Sequence, residues 1–305
     1  MSQASLATPA RHAHLDSAAI ISLIGLTLLW GVNNAFMKYA MVGISPMLMT
    51  FLRSALAMLF VYLWCRYKGI AVFQPDGSLA SGAVIGGLFG LEFVLIYAGM
   101  DLTSASRAVL MTCTMPFFLM VGAHFLLAER VTKAKMAGAL IAFGGVAVVF
   151  FDELSLPSAN AIYGDLLCLA AGAAWAATTL AIRVTRAGSL APEKQLLYQL
   201  AGGALVAIPF MPFDGPLVRE LSFLPIVSVI FQALVVSAAS YLLWFSLIAR
   251  YPATGLSSFA FLTPVFGVLF GGLLLDEPLT QQLFIGLGLV AIGLWLVNGT
   301  GRKNA

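Results

Sequence analysis

Apolar residues in this chain do not alternate or recur at one-face helical spacing; they run on for about 20 positions at a time. Such runs occupy roughly residues 18–41, 46–65, 80–100, 104–128 and 134–151. After a polar break they resume at roughly 162–182, 195–213, 222–248, 254–275 and 281–297. Each is long enough to cross about 30 Å of hydrocarbon as a helix, whereas open strands would leave backbone groups unpaired in lipid. The pattern predicts an all-α integral membrane protein with ten transmembrane helices. Turn chemistry marks the breaks, at Gln74-Pro75-Asp76-Gly77-Ser78, Leu156-Pro157-Ser158, Pro212-Phe213-Asp214-Gly215-Pro216 and Glu277-Pro278.

Composition removes the soluble alternative. Of 305 residues, 61% are hydrophobic and 10% charged, against roughly 25% charged in soluble domains. That leaves too little polar surface to coat a water-soluble particle, so most of the surface faces a lipid bilayer. A net charge of +3 over 16 basic residues, with no dense basic block, argues against a nucleic-acid partner. Placement of the charges says more. With residues 1–17 set in the cytoplasm, only Lys38, Arg53, Arg107 and Arg219 fall on the far side, which leaves twelve of the 16 basic residues inside. An even number of spans then predicts cytoplasmic tails at 1–17 and 299–305, with the first apolar run retained as a span because it is too long for a signal-peptide core. Cys65, Cys113 and Cys168 lie in or beside apolar runs and predict neither a disulfide nor a metal framework.

The two halves repeat. At an offset of 148 residues, Pro116 pairs with Pro264, Glu129 with Glu277, Thr132 with Thr280, Gly138 with Gly286 and Gly145 with Gly293; at an offset of 145, Trp30 pairs with Trp175. Each half, 18–152 and 160–298, holds five spans, an odd number, so the second copy is expected upside down relative to the first. Inverted repeats suit carriers, because exchanging the conformations of two equivalent units converts an inward-open state into an outward-open one.

These motifs carry a family resemblance. The helix with Pro116, followed by Leu126-Leu127-Ala128-Glu129-Arg130-Val131-Thr132 and Gly138 to Gly145, resembles the EamA repeat of the drug/metabolite transporter superfamily. So does the second copy, with Pro264, Leu274-Leu275-Asp276-Glu277-Pro278-Leu279-Thr280 and Gly286 to Gly293. Size and aromatic content also resemble bacterial aromatic amino-acid exporters. The resemblance implies a five-plus-five carrier of a bacterial inner membrane that moves small metabolites or drugs, with no ATP site and no cofactor.

Candidate site residues are those that hydropathy and topology leave over. Trp30 and Trp175 lie about 12 residues into their helices, some 18 Å of rise, which puts both near the midplane. They read either as aromatic walls of a substrate pocket or as packing between the repeats. Asn33 and Asn34, one turn on from Trp30, and Thr178 and Thr179, one turn on from Trp175, either cross-link helices or hold the polar end of a solute. Glu92 is an acid deep within a span, where a charge is costly. It reads as a proton-coupling site, an anchor for a substrate ammonium, or a structural partner of Arg53. Gly82, Gly86 and Gly90 form a close-packing face on the same helix, and Glu92 points away from it. Arg53, whose approximate repeat mate is Gln199, reads as an ion-pair partner or a carboxylate grip.

Pro116 and Pro264 free the carbonyls of Thr112 and Ala260 and are candidate hinges. Ser237, Tyr241 and Trp244 share a helical face, and Tyr97 lies toward a helix end; pocket lining or packing suits them equally. Trp64, Trp244 and Trp295 read as an interfacial belt, and His124 as a hydrogen-bonded structural residue. The leading function is a secondary transporter that exports small amphipathic metabolites, aromatic or other neutral amino acids above all, with protons as the candidate coupling ion. A broad drug efflux carrier is the alternative. An intramembrane enzyme would need paired acids or a nucleophile with its base, which the spans lack, and a channel is the remaining rival.

Overall fold

The computed structural model describes residues 14–100, 102–151, 159–275 and 279–299. Glu277, Pro278, the break at 152–158 and most of both tails lie outside the described residues. Among the described residues, nine helices are at least 18 residues long and apolar enough to cross a membrane. They are α1 (Ser17–Gly43), α2 (Pro46–Lys68), α3 (Leu79–Met100), α4 (Arg107–Leu126), α6 (Asn160–Val184), α7 (Pro192–Phe213), α8 (Phe223–Arg250), α9 (Ala253–Leu274) and α10 (Gln281–Gly299). A tenth, α5 (Lys133–Val149), has 17 residues, close to the shortest length that spans hydrocarbon. The protein is an all-α, multi-pass membrane protein.

Local chemistry sets the helix ends. Asp16 caps α1 by accepting the Ala19 N–H at 2.8 Å. Pro46 opens α2 in the first turn, where its missing N–H costs nothing, and Gly69 closes it in the left-handed conformation at φ 69°. The Leu126-to-Thr132 motif is a helix stop followed by a helix start. Ala128 adopts φ 54°, and the Glu129 N–H reaches back to the Ala123 carbonyl at 3.1 Å. Thr132 then caps α5 through its hydroxyl oxygen, which accepts the Lys135 N–H at 3.2 Å.

Packing obeys the repeat. Gly138 of α5 lies against the Gly293 carbonyl of α10, and Gly145 against that of Gly286, so closely that a Cβ on any of the four would come within 3.0 Å of the facing backbone. Since Gly138 is the mate of Gly286 and Gly145 the mate of Gly293, a two-fold operation exchanging the halves carries one contact into the other. The helices run antiparallel, so that axis lies across them, in the membrane plane: the halves are inverted. Other contacts follow suit, with α3 on α6 and α7 as α8 is on α1 and α2, and α4 on α6 as α9 is on α1. The Gly82, Gly86 and Gly90 face of α3 packs against Tyr198, Gly202 and Val206 of α7, as the four-residue spacing predicts.

Candidate functional site

Eight helices, all but α5 and α10, surround a central cavity of about 260 Å³. Trp30, Asn33, Asn34, Arg53, Glu92, Tyr97, Pro116, Trp175, Thr179, Tyr241 and Pro264 all line it. Residues more than 200 positions apart in the chain thus meet around one space.

Its wall is a continuous run of edge-to-face and tilted aromatic pairs. Trp30 meets Trp175 at 6.4 Å between ring centroids, Tyr241 at 6.1 Å and Trp244 at 5.5 Å. Tyr241 meets Phe89 at 5.9 Å, and Phe89 leads through Phe93 to Tyr97. Such pairs hold rings in fixed orientations and add about 0.5–1.5 kcal/mol each beyond burial. The Trp30 indole N–H donates to the Ser240 hydroxyl at 2.9 Å, and Ser240 donates to the Val236 carbonyl at 2.5 Å. Trp30 is therefore fixed as a wall by a hydrogen bond across the repeats.

Two ionisable groups share the cavity without pairing. Arg53 is 2% exposed and Glu92 7%, yet the two close no ion pair within 4.0 Å; the Arg53 guanidinium lies over the Phe93 ring at 3.9 Å. The structural ion pair that the sequence offers as one reading of Glu92 is absent, because Arg53 stacks on the ring one residue along from it. The Thr178 and Thr179 hydroxyls donate to the Ala174 and Trp175 carbonyls at 2.9 and 3.3 Å, so what they retain for a solute is an acceptor oxygen. Asn34 packs on Gly267 of α9.

Pro116 and Pro264 stand where their helices are interrupted. In α4, Cys113 and Thr114 separate two helical segments, and in α9 a 3₁₀ turn at Phe259–Phe261 precedes Leu262.

Three expectations change. Trp244, read as an interfacial residue, is 5% exposed and lines the cavity, while Trp64 and Trp295 are exposed as a lipid-facing belt requires. Ser237 does not line the cavity with Tyr241 and Trp244; Val236 does. The reason is π-helical winding over Gln232–Ser240, which shifts which residues share a face. His124 is exposed and sits edge-to-face on Phe125 at 5.1 Å.

Sequence reasoning missed the role of Glu129. Its carboxylate accepts the Ala253 N–H at 3.0 Å, the Thr254 N–H at 3.2 Å and the Thr254 hydroxyl at 2.9 Å, and pairs with Arg183 at 3.3 Å. It therefore caps the N-terminus of α9 from the end of α4, where a negative charge meets unpaired N–H groups and the positive pole of the helix. Arg183 also donates to the Ile248 and Tyr251 carbonyls at 2.6 and 2.9 Å. One knot ties α4, α6, α8 and α9 together at one end of the cavity. Outside the spans, the hydrogen bond from Lys194 holds the Asp76 carboxyl far below the usual carboxylate range. The hydrogen bond to Asp16 raises the Tyr251 phenol above its ordinary value.

The profile of the EamA-like transporter family matches residues 17–151 and again 162–299. The chain belongs to the EamA-like transporter family. It is a transporter of the drug/metabolite transporter superfamily, not an enzyme. A protein of Escherichia coli (strain K12) named "Probable amino-acid metabolite efflux pump" is 28% identical over 89% of this chain and 91% of its own. An archaeal "Uncharacterized transporter" of Archaeoglobus fulgidus is 30% identical over 88% of this chain and 94% of its own. A crystal structure 21% identical in sequence superposes with a TM-score of 0.80 over 92% of this chain and 98% of its own, which shows the fold alone.

Proposed function

We propose that this EamA-family transporter exports small amphipathic metabolites, aromatic and other large neutral amino acids above all, by alternating access around the central cavity. The observation that carries this reading is the cavity itself: an aromatic wall long enough for an apolar side chain, with Arg53 and Glu92 unpaired within it. A zwitterion with an apolar body is complementary to that arrangement. The efflux pumps named for amino-acid metabolites among the relatives support the same cargo. The charge partition supports a bacterial inner membrane orientation with both termini in the cytoplasm. Glu92 is the candidate proton-coupling group, as an acid lining the cavity at membrane depth; with Ser240 at the equivalent position of the second repeat, the coupling would be asymmetric.

Counterflow in proteoliposomes tests this. Labelled tryptophan, phenylalanine and leucine are expected to exchange, and sugars are not; exchange of cationic dyes without amino acids would overturn the cargo assignment. The predominantly apolar lining also suits broad drug efflux. Trp30→Ala with Trp175→Ala separates the two readings, abolishing amino-acid exchange under ours and sparing dye exchange under the other. Saturable flux is expected, and unsaturable flux far above carrier turnover would make the protein a channel.

A further inference from the structure

Several residues that line the cavity carry a buried polar atom without a hydrogen-bond partner: Asn33 Oδ1, Arg53 Nε and Nη2, Gln199 Nε2 and Thr263 Oγ1. Buried polar groups are nearly always paired, and these all belong to residues around one space. Two of the residues form a set. Arg53 on α2 and Gln199 on α7 are 2% and 1% exposed, stand at approximately equivalent positions of the two repeats, and belong to helices that pack together.

The free atoms of Arg53 matter most. Nε and Nη2 are the two parallel donors of one edge of the guanidinium plane, the edge that receives both oxygens of a carboxylate side-on. Gln199 Nε2 adds a neutral donor. Stacking on Phe93 orients the plane without using this edge, and Glu92, the nearby acid of the cavity, does not close on it within hydrogen-bonding or ion-pairing distance. At this depth the bidentate edge of Arg53 has no anion closed on it, although Glu92 lines the same cavity.

We infer that Arg53 and Gln199 form a carboxylate subsite, which binds the carboxylate of the transported solute and sets specificity for acids and zwitterions over the corresponding amines. This rests on the reading of the cavity as the transport site, and it is independent of whether Glu92 couples protons.

The test compares phenylalanine, phenethylamine, which lacks the carboxylate, and 3-phenylpropionate, which lacks the ammonium. Binding is followed by quenching of the cavity tryptophans and exchange by counterflow. Arg53→Gln is expected to weaken phenylalanine and 3-phenylpropionate by about tenfold or more, as loss of charge-assisted hydrogen bonds dictates. Phenethylamine should stay within about twofold of the unmodified protein. Arg53→Lys keeps the charge but loses the planar edge and should recover only part of the acid binding. Gln199→Leu should weaken the acids less than Arg53→Gln, again sparing the amine.

A size-exclusion profile identical to that of the unmodified protein is required of each variant. Should Arg53→Gln fail to fold, Arg53→Lys and Gln199→Leu carry the comparison. Equal losses for acid and amine, or none for the acid, would overturn the subsite. If the unmodified protein binds 3-phenylpropionate but exchanges no amino acid, the proposed cargo fails while the Arg53 comparison still decides the subsite. If it binds no carboxylate at all, both fail.

Discussion

The Trp30 indole is held by Ser240, and Ser240 occupies in the second repeat the position that Glu92 occupies in the first. Trp175, the mate of Trp30, lines the same cavity as Glu92. One tryptophan is tied to a neutral hydroxyl; the equivalent setting in the other half carries an acid. The architecture is symmetric and the chemistry of its site is not. Removing the Ser240 hydroxyl strands a buried N–H, which costs about 1–3 kcal/mol. Ser240→Ala is accordingly expected to lower the thermal unfolding midpoint in detergent and to weaken solute binding; a variant matching the unmodified protein in both would show that the bond does not position Trp30.

Glu129 joins the start of α9 to the end of α4 through two backbone N–H groups, one hydroxyl and Arg183. Glu129→Ala leaves the Ala253 and Thr254 donors without their acceptor and takes the carboxylate from a nearly buried guanidinium, the costly way to break such a contact. We expect that end of the bundle to loosen, so that Cys113 at the cavity wall reacts faster with a small maleimide. Labelling in a Cys65→Ala, Cys168→Ala background reads this by mass spectrometry, and an unchanged rate would mean that the knot does not close the cavity.

Ala128 is a non-glycine residue at φ 54°. For an L-residue this conformation costs about 1 kcal/mol, and glycine is the usual occupant of the position that ends a helix this way. Ala128→Gly should raise stability slightly or leave it unchanged, by about 0–1 kcal/mol after the added freedom of the unfolded chain is counted. A clear loss in a denaturation series would contradict the strain assignment.

Proton coupling through Glu92 predicts that Glu92→Gln abolishes the response of transport to an imposed pH gradient while solute binding remains measurable. Flux in proteoliposomes with and without the gradient decides it. A mutant that keeps the full response places coupling elsewhere.

Pro116 and Pro264 sit at helix interruptions that border the cavity. Replacing either with alanine restores a backbone donor and favours a continuous helix. Turnover should fall while binding affinity stays close to that of the unmodified protein, since the change opposes movement rather than contact. Equal turnover would remove these positions from the list of hinges.

Much of this was legible in the residues. Uninterrupted apolar runs, the charge partition and the spaced glycines depend on chemistry local to each helix and on a lipid environment that rewards one solution. Glu92, Arg53, Trp30 and Trp175 stood out because polar or bulky groups at midplane depth are costly or conspicuous without any knowledge of their neighbours. Trp244 was misread because its distance from a helix end was judged by residue count, and Ser237 because a 3.6-residue period was assumed where α8 winds as a π-helix. Glu129 passed as a family mark, since Arg183 lies 54 positions away and the N–H groups it caps begin 124 positions away, and no local spacing announces a cap supplied to another helix.

By itself, then, the sequence determined the membrane class, the number and order of the helices, and the repeat that relates them, all properties set by neighbours along the chain. Only the tertiary structure decided which side chains face one another. It left Arg53 stacked on Phe93 rather than paired with Glu92, tied Trp30 to Ser240, and brought Glu129 to the N-terminus of α9. Those outcomes depend on how helices from inverted halves meet, and contacts of that kind carry no signature in the spacing of residues along one chain.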